Sequence, residues 1–299
     1  MDHDERPEGD GEPPGDYFVT VDPTDLPASS PPRPAGSGRW LAILAVLLVS
    51  LGAAIAITAV LLPTEDDDSA VASSRPAGGP VVEDGFKLWA TNDDGSPVRW
   101  NSCEPLRWVL NSSGAPPGAM ADLEAAMTSI TDASGLRFDF VGHTDERPHG
   151  SRSPYQPNRY GSEQWAPVLV AWSPAGENEL PLGQRDRAVA IPLAVGDEAA
   201  TVFVSGQVVF NSDRMLQPGF GDRAHSLGAT AMHELGHLIG LDHVSDPDQL
   251  MFAHPHLGPV RWGEGDRRGL AAVGEDAGCV EVPTPRPVDV TYVPDFGDE

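Results

Sequence analysis

The stretch His233-Glu234-Leu235-Gly236-His237-Leu238-Ile239-Gly240-Leu241-Asp242-His243 decides the reading of this chain. It has the form H-E-x-x-H-x-x-G-x-x-H, and a methionine, Met251, follows shortly after. Residues four apart share one face of a helix, so His233 and His237 can converge on one metal ion. Glu234 lies about 100° further round, where it misses the metal but reaches a water beside it. Gly240 can take a positive φ and end the helix. The chain then turns back and brings His243 as a third ligand. Three protein ligands leave a fourth position open, which is the pattern of catalytic rather than structural zinc. A bare H-E-x-x-H arises by chance in roughly one chain in a hundred of this size, and fixing Gly240 and His243 as well cuts that about a thousandfold. Asp242 is a rival third ligand because its short carboxylate adjoins His243; the spacing favours His243.

The chain has 299 residues and a formal charge of −26. Such acidity argues against nucleic acid as a partner, since phosphate binding needs clustered Lys and Arg. Lys87 is the only lysine. The two cysteines, Cys103 and Cys279, stand alone in sequence, which excludes a C-x-x-C metal or redox site. They form either a bridge or two free thiols. A bridge would tie together the two ends of the domain.

Residues 40–62 (WLAILAVLLVSLGAAIAITAVLL) carry no charge. At roughly 1.5 Å per residue they span a hydrocarbon core of about 30 Å. A buried core helix and a cleaved signal peptide are the competing readings. The hydrophilic tail 1–39 in front favours an uncleaved signal-anchor. Arg33 and Arg39 precede the span, while Glu65, Asp66, Asp67 and Asp68 follow it. The positive-inside rule then puts the N-terminus in the cytoplasm and the histidine motif outside. The expected protein is a single-pass protein of the cell membrane. Five regions follow: a disordered tail 1–39, the anchor 40–62, an acidic flexible linker 63–84, a globular domain 85–282 and a Pro-rich acidic tail 283–299.

Within the domain, 106–111 reads as a strand. Pro116-Pro117 opens a helix with Met120, Leu123, Met127 and Ile130 on one stripe, and Gly135 ends it. Leu136, Phe138 and Phe140 alternate as a second strand, and 168–172 is a third. Residues 201–210 hold one or two more, with Gly206 as a turn or bulge. A long helix over about 223–241 carries the motif, and 266–273 is a short final helix. Asp93-Asp94-Gly95 reads as a hairpin turn, with calcium binding as the alternative. The stretch 142–200 is rich in Pro, Gly and Arg and gives no clear pattern beyond the third strand.

This order of elements resembles the metzincin catalytic domain, and within that clan the matrixin-like proteases. The resemblance covers about 105–280; it is specific at 233–251 and topological elsewhere. It implies an α+β fold with a mixed twisted sheet, a zinc helix, a Met-turn and a C-terminal helix, here behind a single transmembrane helix. It assigns His233, His237 and His243 to zinc, Glu234 to general base, and Met251 to structural support beneath the histidines. A substrate would add as a strand to the sheet edge, for which 202–210 is the sequence candidate. The chain departs from the family at several points. There is no P-R-C-G type latency segment. His143, Asp145 and His149 are only a fragment of the second, structural zinc site. Phe252-Ala253 follows Met251, so the Met-x-Tyr tyrosine of astacin-like and serralysin-like enzymes is missing. Val244 stands where matrixins commonly have Ser. His254 and His256 read as rim residues rather than ligands.

The expected function is a membrane-anchored, extracytoplasmic, zinc-dependent endopeptidase acting on protein or peptide. In it a zinc-activated water attacks the peptide carbonyl and Glu234 takes the proton. The alternative is a catalytically silent zinc-binding ectodomain that binds protein or peptide. An intramembrane protease is excluded, because 227–241 is too short to span and is bounded by charge.

Overall fold

Long apolar runs build the centre of the domain. The computed structural model describes residues 82–83, 85–196, 200–222, 224–253 and 260–288. A short antiparallel hairpin of β1 (Val82–Glu83) and β2 (Phe86–Lys87) comes first. The main sheet has five strands: β3 (Leu106–Leu110), β4 (Phe138–His143), β5 (Val168–Ser173), β6 (Ala188–Gly196) and β7 (Thr201–Asn211). Their order is β4-β3-β5-β7-β6, and only β6 runs antiparallel to its neighbour. Among the described residues four α-helices accompany the sheet: α1 (Ala119–Ser134), α2 (Pro157–Tyr160), α3 (Leu227–Ile239) and α4 (Glu264–Val273).

The predicted stripe makes α1 a core helix. Leu123, Met127 and Ile130 are buried, while Met120 is partly buried at its edge. Gly118 and Gly135 bracket it with positive φ of 86° and 74°. Helix α1 packs on α3, and both cover one face of the sheet. Leu106, Trp108, Leu110, Val170, Phe203 and Phe210 meet them there.

The opposite face is covered by loops and the chain end. Leu180 and Leu182 pack on Val189, Ile191 and Leu193 of β6. Tyr160 packs on Val109 and Leu169. Trp165 joins Val195, Val202 and Val204, with Val280, Val282 and Val288 against them. Thus contact with the sheet continues past residue 282, where the sequence reading ends the domain. A disulfide joins Cys103 and Cys279, with Cα atoms 5.3 Å apart. It fastens the approach to β3 to the segment after α4, and resolves the cysteine alternatives in favour of a bridge.

The structure departs from the sequence expectation at the sheet edge. Residues 202–210 lie within β7, where 207–210 pair with β5 on one side and β6 on the other, while 202–206 pair with β6 alone. They form one continuous strand inside the sheet order, and its Phe203 N–H donates to the Arg99 carbonyl at 3.1 Å. The edge strands are β4 and β6, and β6, which pairs only with β7 among the described residues, is the one beside α3. Gly206 marks a close approach rather than a turn: a Cβ there would meet a Leu238 methyl of α3 at 2.7 Å.

The expected anchor 40–62, its flanks 1–39 and 63–81, and His254 and His256 lie outside the described residues. Among the described residues no helix is long and apolar enough to cross a membrane.

Candidate active site

Helix α3 delivers the site as the motif spacing requires. His233 and His237 share one face, and Gly240 follows with φ 118°. The chain reverses there: the Gly240 N–H returns to the His237 carbonyl at 3.0 Å and the Leu241 N–H to that of Gly236 at 3.0 Å. That turn brings His243 back over the helix. The three Nε2 atoms form a near-equilateral triangle with sides of 3.1, 3.2 and 3.2 Å.

Backbone carbonyls orient two of the rings. His233 Nδ1 lies 2.9 Å from the Leu250 carbonyl, and His237 Nδ1 lies 2.9 Å from that of Leu241. A carbonyl only accepts, so each Nδ1 carries the proton and each Nε2 presents its lone pair to the triangle. Burial, then the neighbouring rings of His243 and His233, push His237 well below its ordinary value and keep it neutral. A tetrahedral zinc ion with bonds of about 2.0–2.1 Å needs nitrogens about 3.3–3.4 Å apart. The observed triangle is close to that, and its donors are imidazole nitrogens, so the residues present fit zinc. These three histidines are the group among the described residues whose ligand atoms can hold a metal.

Asp242 points elsewhere. One carboxylate oxygen lies 2.7 Å from Lys87 Nζ and the other accepts the His243 N–H at 2.7 Å. Its role is to shape the turn, and His243 is the residue that joins the cluster. His143, Asp145 and His149 do not converge. His143 packs edge-on against Phe140, Asp145 pairs with Arg159, and His149 Nδ1 meets Ser151 Oγ at 2.9 Å. Asp93-Asp94-Gly95 closes as a hairpin turn, with Asp94 Oδ1 accepting the Ser96 N–H at 2.8 Å.

Glu234 is 8% exposed and lies towards the edge strand, where it is hydrogen-bonded by the Ala190 backbone. Burial, then the charge of Asp186, push its carboxyl up to about 8 against that hydrogen bond. The motif acid is therefore held next to β6, beside the strand edge.

Met251 is 1% exposed and lies against Gly236 of α3, which falls between the two helix histidines in sequence. The structure explains Gly236: a Cβ there would meet Met251 Sδ at 2.5 Å. Sequence reasoning missed what holds this turn. Asp266, 1% exposed in the first turn of α4, accepts the N–H groups of Leu250 at 2.6 Å, Met251 at 3.3 Å and Gly263 at 2.8 Å. Gln249 Oε1 in turn accepts the Asp266 N–H at 2.9 Å. An acidic residue in a first turn reads as a favourable helix-dipole charge, so nothing in the sequence marked it as buried. Lys87 and Trp89 were missed as well. Trp89 stands edge-on to His237, with ring centroids 5.0 Å apart.

Residues 177–271 match the family model described as Matrixin. No curated protein matches the chain. The matched stretch runs from the loop before β6 through β7 and α3 into α4, and holds all three histidines and Met251. The family is one of zinc-dependent proteases that act on protein or peptide. The match over this stretch and the converging histidine triple on a mixed sheet together support a matrixin-like metzincin.

Proposed function

We propose that this protein is a zinc endopeptidase, tethered to the cell membrane through 40–62 with its catalytic domain outside the cytoplasm. The observation that carries the catalytic part is the Nε2 triangle, with Glu234 on the same helix. His233, His237 and His243 would hold the ion. Zinc held there supplies a Lewis acid that polarises a peptide carbonyl and acidifies a water molecule.

The chain's own residues do the rest. Beside a held cation the Glu234 carboxyl comes back down, and the ionised carboxylate then accepts the proton of the attacking water and passes it to the leaving amine nitrogen. Its burial keeps bulk water from competing for that proton. The edge of β6 gives an extended substrate a backbone ladder, so the peptide adds as a further strand alongside Glu234. Met251 and Asp266 fix the floor on which the histidines rest.

The tether rests on the uncharged span 40–62 and on the arginines that precede it. The Cys103–Cys279 disulfide supports an oxidising, extracytoplasmic compartment. A silent zinc-binding ectodomain is the alternative reading, and turnover separates the two. Full-length protein loaded with zinc should cleave members of a quenched peptide library, and chelation should stop it. A folded, zinc-loaded chain that cleaves nothing would favour the binding ectodomain.

A further inference from the structure

The turn that delivers His243 is held from outside the zinc motif. Strand β2 and the residues after it run along this turn. The Trp89 N–H donates to the Gly240 carbonyl at 2.9 Å, the Asp242 N–H donates to the Lys87 carbonyl at 2.8 Å, and Leu88 bridges Leu241. Further on, Trp100 Nε1 donates to the Leu238 carbonyl at 2.8 Å. The last carbonyls of a helix lack partners within it, and here 86–100 supplies partners for two of the carbonyls in this stretch.

Side chains complete the arrangement. Lys87 Nζ lies 2.7 Å from one Asp242 oxygen, and both side chains are about three-quarters shielded. The other Asp242 oxygen holds the His243 N–H at 2.7 Å. Lys87, the only lysine in the chain, is therefore linked to the backbone of the third histidine through one carboxylate. Trp89 braces His237 on the same side.

We propose that Lys87 is a positioning residue for the metal centre: through Asp242 it fixes the turn that sets His243, with Trp89 bracing His237. This deepens the zinc-protease reading and rests on it. Groups that orient metal ligands from behind commonly change metal affinity by 10–100-fold when removed. An ion pair serving fold alone at a partly exposed site would contribute little and leave the metal untouched.

The test uses full-length protein and measures zinc affinity by competition with a chromogenic chelator, together with the visible spectrum of the cobalt-substituted protein. Lys87→Met should weaken zinc binding about tenfold and alter the cobalt spectrum, while the melting temperature of the metal-free chain shifts by only a few degrees. Lys87→Arg should restore most of the affinity. Asp242→Asn should copy Lys87→Met, which keeps the test alive if one variant folds poorly. Unchanged zinc affinity and cobalt spectrum in both variants, with normal binding by the wild type, would overturn the positioning role alone. Failure of the wild type to bind zinc through its histidines would overturn the zinc reading and this inference together.

Discussion

Two polar clusters on opposite faces of one sheet have opposite designs. On the helix side, three imidazoles turn their Nε2 atoms towards one another at 3.1–3.2 Å. On the loop side, Arg152 is surrounded by matched acceptors. Its Nε and Nη2 meet the two Glu146 oxygens at 2.8 and 3.1 Å. Its remaining hydrogens reach Ser205 Oγ, the Gly206 carbonyl and the Pro167 carbonyl. Tyr160 and Gln156 donate to the same Glu146 carboxylate. The second cluster is complete within itself and fastens the stretch 146–167 to the sheet. The first gathers donor atoms of one kind at a spacing that can hold a cation. Like acceptors gathered at ligand spacing signal a guest, whereas a charge matched by its opposite signals structure.

The largest expected effect strikes the guest side. Glu234→Gln should lower kcat/KM by about 10²–10⁴ while zinc content stays unchanged, as measured with peptide turnover and metal analysis. A variant that keeps near-normal turnover would remove Glu234 from its role. On the structural side, Arg152→Leu leaves Glu146 buried without its partner. It should cost about 3–5 kcal/mol in urea unfolding, and removing Glu146 as well should recover part of that loss. A cost below 1 kcal/mol would show that the comparison misjudges this cluster.

Smaller effects sharpen the contrast. Gly236→Ala pushes a methyl group against Met251 Sδ and should cost about 1–3 kcal/mol, with weaker zinc binding as the histidine floor shifts. Unaltered stability there would mean the Met-turn yields easily.

The pH response should be gentlest. Burial raises the Glu146 carboxyl, but Arg152, Tyr160 and Gln156 together outweigh it and hold it below its ordinary 4.5. A lowered folded value means that its contribution is complete well above 4.5 and is lost as pH falls through the folded value. Urea unfolding along an acid series should show this loss, and Glu146→Gln should flatten that part of the curve.

The two clusters also differ in how much the sequence reveals of them. The histidine site was legible because a helix turns its spacing directly into geometry. Glu146 and Arg152 are close in sequence but lie in a Pro- and Gly-rich loop with no period, so nothing marks them as buried. Strand β6 was hidden for a related reason. Its run A-V-A-I-P-L-A-V-G is buried on both faces and does not alternate, and Pro192 argues against a central strand. Proline is admissible there because β6 is an edge strand, and this misled the choice of 202–210 as the docking strand. Lys87, Trp89 and Asp266 act on residues that only the fold brings near, so no local pattern could reveal them.

The most direct test of the central claim is X-ray absorption at the zinc edge on full-length protein. One zinc per chain with three imidazole nitrogens at about 2.0–2.1 Å is the predicted result, lost in His243→Ala. A chain that takes up no zinc, or binds it without histidine nitrogen, would contradict the account.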